Sequence, residues 1–216
     1  ADYNSPHTLT VLAFDDAIAE GTHTSSLSLS SAITTTKTIG VSVSDNETKG
    51  ITQVLPGGGL TASEAGGTSA YTIRLNSEPT GAVTVKLNFT DTQIKLNGSG
   101  SPLSLSFSPT CPSATCWSTP QTVTVSAVDD SDLEGAHNAT ISYTITGADY
   151  AGLSATSATV AVTDNDTAAL IITESGGSTS VVEGGATDSY TVKLASRPTA
   201  NVTVSIAFSG SQIKVN

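Results

Sequence analysis

The stretch Thr122-Val-Thr-Val-Ser-Ala-Val128-Asp-Asp-Ser-Asp-Leu-Glu-Gly135 holds two messages. Its first half switches polar and apolar at every residue. Period two places alternate side chains on opposite faces, the mark of a half-buried strand. Its second half is acidic and opens with turn-forming residues, so the carboxylates sit at the strand's end. The same alternation recurs in Thr8–Phe14, Leu27–Leu29, Gly40–Ser44, Thr72–Leu75, Ala82–Phe89, Leu103–Phe107, Thr140–Ile145 and Ala158–Thr163. Val, Ile, Thr, Tyr and Phe favour such surfaces. Gly-Gly, Asn-Gly, Ser-Pro and Asp-Asn, all turn formers, separate the runs. No stretch shows a convincing helical period. About seven short strands in roughly 115 residues, each with one apolar face, need a second sheet to cover them. The fold class expected is all-β, built of tandem immunoglobulin-like antiparallel β-sandwiches. The Cys…Trp…Cys core of antibody domains is missing.

The chain also repeats itself. Asp45 to Asn97 reads onto Asp164 to Asn216 with a constant offset of 119 residues and no gap. Glu64 matches Glu183, Tyr71-Thr72 matches Tyr190-Thr191, Val83-Thr84-Val85 matches Val202-Thr203-Val204, and Gln93-Ile94-Lys95 matches Gln212-Ile213-Lys214. At an offset of 114, Asp15-Asp16, Glu20-Gly21 and His23 fall on Asp129-Asp130, Glu134-Gly135 and His137. Such a period exceeds the roughly 20–50 residues of a solenoid turn and suits a whole small domain. The expected organisation is a C-terminal half-module over 1–49, a complete module over 50–166 and an N-terminal half-module over 167–216. The chain reads as a segment of a longer protein.

Composition narrows the function classes. The net charge is −11, from 8 basic and 19 acidic residues, yet charged residues make up only 12% of the chain. Ser, Thr, Asn and Gly supply the polarity. An acidic balance argues against nucleic acid, which selects Lys and Arg, and against anionic membrane surfaces. No apolar run approaches the ~18 residues of a membrane span. No Gly-x-Ser-x-Gly, HExxH or Gly-rich phosphate loop appears, so no enzyme is expected. Cys111 and Cys116 flank a Pro-rich loop. They read either as a local disulfide, which implies an oxidising, extracytoplasmic location, or as a redox or metal pair, although the spacing is not CxxC.

The acidic residues of the complete module fall at strand ends: Glu64, then Asp129, Asp130, Asp132 and Glu134, then Asp164 and Asp166. Loops distant in sequence meet at one pole of a sandwich. Carboxylates gathered there with no Lys or Arg would repel: two like charges 4 Å apart cost roughly 4 kcal/mol at an effective dielectric near 20. A hard divalent cation removes that cost, and loose multi-loop oxygen sites suit Ca²⁺ better than Mg²⁺. The alternative is that these acids only solvate loop ends. His23 and His137 recur at one fixed place, which favours packing or hydrogen bonding over catalysis or ligation.

The sequence resembles the Calx-β repeat family. The resemblance rests on Val128-Asp-Asp-Ser-Asp-Leu-Glu-Gly135 after a β run, on the closing Val162-Thr-Asp-Asn-Asp166, and on the opening Ala62-Ser-Glu-Ala-Gly66. It implies Ca²⁺ at the loop pole, with Glu64, Asp129, Asp130, Glu134, Asp164 and Asp166 as carboxylate ligands and the carbonyl of Asp132 in reach. In the preceding half-module it implies Asp15, Asp16, Glu20, Asp45 and Glu47; Glu183 is the first-strand Glu of the following one. Two departures stand out. Where the family often reads Glu-Gly-Asp-Glu, this chain has Glu134-Gly-Ala-His137 and Glu20-Gly-Thr-His23. The mid-module acidic loop is replaced by Asn97-Gly-Ser-Gly-Ser-Pro102. One site per module is therefore expected.

The expected role is an extracellular or cell-surface stalk or filament segment, stiffened by calcium at module poles. Its partners would be neighbouring repeats or copies of itself. The half-modules expose apolar faces that either pair with a second chain or simply mark where the chain stops. The alternative role is an adhesin that recognises glycans or cell-surface proteins through its loops, with Tyr3, Tyr150 and Trp117 as candidate contacts. Asn-x-Ser/Thr sequons at Asn46, Asn88, Asn97, Asn138, Asn165 and Asn201 allow glycosylation.

Overall fold

A computed structural model describes residues 4–215. Strands β1 (His23–Ser31) and β2 (Thr34–Val43) form a hairpin. Nine strands follow: β3 (Ile51–Val54), β4 (Leu60–Ser63), β5 (Thr68–Leu75), β6 (Val83–Asn88), β7 (Ile94–Leu96), β8 (Leu103–Phe107), β9 (Gln121–Ala127), β10 (His137–Thr146) and β11 (Ala158–Thr163). They make a four-stranded sheet, β3-β5-β9-β7, and a five-stranded sheet, β4-β11-β10-β6-β8. A second hairpin, β12 (Leu170–Glu174) with β13 (Tyr190–Leu194), closes the series.

The central unit is the expected sandwich. One sheet buries Tyr71, Ile73 and Leu75 of β5 with Val123 and Val125 of β9; the other buries Val83, Val85 and Leu87 of β6 with Ile141 and Val160. Removing these side chains from water stabilises the fold by about 1.5–3 kcal/mol each. Two details differ from expectation. The unit has nine strands rather than about seven, because the short β3 and β7 carry too few residues to display a period. The sandwich is also not wholly antiparallel: β4 and β11 run parallel, with Leu60 opposite Val160 and Ser63 opposite Thr163.

Thr8–Phe14 forms no strand, contrary to its alternation. At the 114-residue offset it corresponds to β9, which is held on both sides by β5 and β7. No strand among the described residues pairs with this segment, so its backbone groups lack a ladder. By contrast, β1 pairs with β2 in the register of β10 with β11: His23 faces Val43 as His137 faces Val162. Likewise β12 and β13 reproduce β3 and β5, Leu170 facing Leu194 as Ile51 faces Leu75.

Adjacent segments touch through one repeated contact. The Glu78 amide donates to the Ala17 carbonyl at 2.7 Å, and the Arg197 amide to the Ser131 carbonyl at 2.7 Å. Parallel bridges join Ile18 to Glu78 and Asp132 to Arg197. These four positions correspond across the two offsets, so the same joint occurs twice.

At the end of the central unit facing the first joint, Tyr150 is fully buried. Its hydroxyl accepts from the Ser77 amide at 3.0 Å, donates to the Ser77 carbonyl at 2.8 Å and meets Ser77 Oγ at 2.8 Å. Gly147 allows this turn to press onto β6: a Cβ there would lie 2.4 Å from the Ala82 carbonyl oxygen, and its φ is +98°. Tyr150 is therefore a structural anchor rather than a loop contact for ligands. Trp117 is half-buried against the core, and its carbonyl accepts from the Leu75 amide at 3.0 Å. Tyr3 lies outside the described residues. Cys111 and Cys116 form the disulfide, with Cys116 buried. No helix among the described residues is long and apolar enough to cross a membrane.

Asp149 ties the same end together. It accepts from the Thr80 amide and hydroxyl, both at 3.0 Å, and pairs with Lys49 Nζ at 2.9 Å. Burial works against its charge, but Lys49 and Thr80 outweigh it and hold the carboxyl at about 2.

Tyr150→Phe strands the buried Ser77 amide and should cost about 1–3 kcal/mol in chemical denaturation; an unchanged midpoint would remove the anchor. Asp149 is depressed in the fold, so its stabilisation is present above its unfolded value of 3.8 and disappears as pH falls towards about 2. Asp149→Asn should thus be less stable than wild type at neutral pH, and the gap should close on acidification. A gap independent of pH would contradict the ion-pair origin.

Candidate metal centre

Three connections build the pole. Glu64 follows β4, Asp164 and Asp166 follow β11, and Asp129 to Glu134 link β9 to β10. Because β4 and β11 are parallel, the residues that follow them emerge side by side. The Glu64 amide donates to the Thr163 carbonyl at 3.1 Å, extending the ladder by one bond. Carboxylate oxygens of Glu64, Asp164 and Asp166 lie within 4.8 Å of one another, as do those of Asp130, Asp132 and Glu134.

Backbone donors organise the loops around Asp164. Its Oδ2 accepts from the Gly135 amide at 2.6 Å and its Oδ1 from the Asp166 amide at 2.6 Å. These bonds, the Asp166 amide first, hold Asp164 below the usual carboxylate range. Gly135 has φ +73°, a backbone conformation that favours glycine, and its amide donates to Asp164. Asp130 Oδ1 accepts from the Asp132 amide at 2.7 Å, and Asp129 Oδ1 from Asn165 Nδ2 at 3.1 Å.

The remaining carboxylates are held against their charge. Glu64 is only 5% exposed. Burial pushes its pKa up, and the charges of Asp164 and Glu134 add to this. Asp166 and Glu134 are raised in the same way, by burial first and then by neighbouring acids. Asp166 Oδ2 and Gln93 Oε1 are buried without a hydrogen-bond partner. Gln93 donates its amide to both Asp130 and Glu134.

All seven expected residues of the central unit thus meet at one tip, with one correction. The cluster is not free of basic residues: Arg197 donates to both carboxylate oxygens of Asp132. This pair pulls Asp132 below its ordinary value. The guanidinium reaches Asp132 because the joint places the turn before Pro198 against the loop after β9. Its counterparts at the first joint are Ile18 and Glu78, which cannot pair this way.

The first half-module repeats the arrangement. Asp45 accepts from the Gly21 amide at 2.5 Å and the Glu47 amide at 3.0 Å, which hold it at about 2, the Glu47 amide contributing most. Asp16 accepts from the Ile18 amide at 2.8 Å and Asp15 from Asn46 Nδ2 at 3.3 Å. Asp16, Glu20, Asp45 and Glu47 line one cavity of about 650 Å³ together with His23. Glu47 is raised, by burial first and then by Asp45.

His137 serves the scaffold. Its Nδ1 lies 2.9 Å from the Gly135 carbonyl and its Nε2 3.2 Å from Asp91 Oδ2. The Gly135 carbonyl, then Asp91, raise its pKa despite partial burial. Sequence reasoning passed over Asp91, Gln93 and Arg197. Gln93 carried a signal, since it recurs as Gln212, but no charge to draw attention. Of the sequon amides, those of Asn46, Asn88, Asn97 and Asn165 are engaged by neighbouring oxygens, while Asn138 and Asn201 are exposed.

The donor set is entirely oxygen, and one of its buried oxygens, Asp166 Oδ2, lacks a partner. This chemistry fits a hard divalent cation. No protein-family model matches the chain, and no curated protein matches it. Among solved structures, the chain is similar to the apo-form Calx CBD1 domain: 20% identity over 54% of this chain and 98% of that one, TM-score 0.38. It is also similar to CBD12 from CALX1.2: 19% identity over 56% of this chain and 48% of that one, TM-score 0.37.

Proposed function

We propose that the central unit is a calcium-binding β-sandwich of an extracellular structural segment, in which the cation stiffens the joint to the following unit. The buried, unpartnered Oδ2 of Asp166, beside the buried Glu64 carboxylate, carries this reading. A buried acceptor without a donor costs free energy, and a buried carboxylate costs more. A cation held by Glu64, Asp164 and Asp166, with Asp130 and Glu134 nearby, offsets both. Asp129 and the Asp132 carbonyl complete the oxygen supply.

The joint explains why a cation here matters mechanically. Asp164 and Asp166 lie on the connection into β12, so the chain leading into the next unit is also the ligand loop. Arg197 grips the same pole from the other side through Asp132. Neutralising the pole removes the repulsion that would otherwise loosen the joint, and bending then has to break ligand bonds. The short linked loop at Cys111 and Cys116 suits an oxidising, extracellular setting. No nucleophile–base arrangement or phosphate cradle was found in the sequence, which favours a binding and structural role over an enzyme. The adhesin alternative loses Tyr150 to the core and leaves Trp117 half-buried.

Glu64→Gln provides a test with opposite signs in two conditions. In excess chelator the variant should melt higher than wild type, because it removes a charge that burial disfavours. In millimolar calcium it should melt lower, because wild type gains stability through binding and the variant gains less. A wild-type melting profile indifferent to calcium, or a variant that tracks wild type in both buffers, would overturn the proposal.

A further inference from the structure

We infer that Gln93 is a two-state side chain of the acidic pole. Its amide N–H groups hold Asp130 and Glu134 together when no cation is bound, and its amide oxygen turns to join the ligands when one is. This deepens the calcium reading and rests on it, since the second state needs the ion.

The backbone fixes where Gln93 stands. It directly precedes β7, and its carbonyl accepts from the Val128 amide at 2.9 Å. Its own amide donates to Asp91 Oδ1 at 2.8 Å. The next residue, Ile94, is buried and lies opposite Ala127 of β9. Bonds on both sides therefore lock Gln93 beside the end of β9, where the acidic loop begins. Only its side chain is left to adjust.

That side chain now acts as a donor. Nε2 reaches Glu134 Oε1 at 2.5 Å and Asp130 Oδ2 at 3.4 Å. A primary amide nitrogen carries two N–H groups, so it can serve both carboxylates at once. Bonds to ionised acceptors are the strong kind. Asp132, the third acid of this cluster, takes its donors from Arg197 instead.

The same orientation leaves the other end of the amide unsatisfied. Gln93 Oε1 is buried and has no hydrogen-bond partner. A buried acceptor without a donor costs free energy. Ionised carboxylates accept only, so they draw the nitrogen towards them at the expense of the oxygen. A half-turn about the Cγ–Cδ bond exchanges the two atoms, and a terminal torsion of this kind is broad and roughly two-fold. It places Oε1 where Nε2 now lies, between Asp130 and Glu134. Turned this way, the amide offers its oxygen to a cation held by those acids, and Gln oxygens serve Ca²⁺ alongside carboxylates. The turn gives up two donated bonds, but the acids that needed them are then neutralised by the ion.

Glutamine suits both states where its nearest relatives do not. Glutamate supplies the oxygen but adds a like charge to a pole that repels itself without an ion. Methionine has the length but neither the donor nor the ligand. The same residue returns at the equivalent place in Gln212-Ile213-Lys214, as Gln93-Ile94-Lys95 requires of a repeated device.

Two substitutions in the 216-residue chain, with one spectrum of the wild type, test the switch. In chelator, Gln93→Glu and Gln93→Met should both melt below wild type, Gln93→Glu the lower of the two. Calorimetric titration with calcium chloride should then separate them. Gln93→Met should bind about 10–100-fold more weakly than wild type, and Gln93→Glu should bind more tightly, because a carboxylate joins the ligands. The side-chain amide of Gln93 in wild type, assigned in nitrogen-15 spectra by its absence from both variants, reads the turn itself. On calcium binding its Nε2 resonance should move downfield, since coordination through Oε1 draws electrons from the amide. A resonance that stays at its chelator position while the wild-type chain binds calcium would overturn this proposal and leave the calcium reading standing. A wild type that takes up no calcium would overturn both.

Discussion

Parallel pairing of β4 with β11 puts two carboxylates at one tip of the sandwich, and the pole depends on that pairing. Ser63 lies opposite Thr163, and the next residue on each strand is acidic. An antiparallel pair would have sent Glu64 and Asp164 to opposite ends. Once they are neighbours, one environment splits their behaviour. Backbone amides converge on Asp164 and favour its charge, whereas Glu64 sits beneath the loop with its charge disfavoured. A site with one ionised organiser and several reluctant acids is poised to take up positive charge. On one flank Arg197 already supplies some of it.

The second constraint is that a β-strand exists only where its neighbour does. Backbone donors and acceptors must be paired, and a lone alternating segment leaves its groups to water. The chain displays this within itself, since near-identical patterns are strands in the middle and irregular at the flanks. The joints obey a different rule. Each carries one short backbone hydrogen bond, 2.7 Å in both places, with Ile18 beside Glu78 at one and Asp132 beside Arg197 at the other. The backbone contact is common to both joints, and a side-chain ion pair is added at the second.

Much of this was legible in the residue order. Period-two alternation named most strands of the central unit, because each has one face in the core. It failed for β7, whose three residues display no period, and it could not tell that Leu60–Ser63 pairs in parallel with a strand about a hundred residues away. It over-read Thr8–Phe14, since alternation reports which face would be buried and not whether a partner is present. The acidic tip was legible because the motif after β9 and the motif after β11 each occur twice. The Asp132–Arg197 pair was not, because neither residue recurs at its own copy. Tyr150 was mistaken for a surface aromatic because its burial comes from a loop folded over Ser77, a contact with no periodic signature.

An anomalous difference map from crystals grown with calcium tests the central claim most directly. A peak bounded by oxygens of Glu64, Asp164 and Asp166 is the expected result. Density showing those three side chains directed apart into solvent, with no peak between them at saturating calcium, would contradict it.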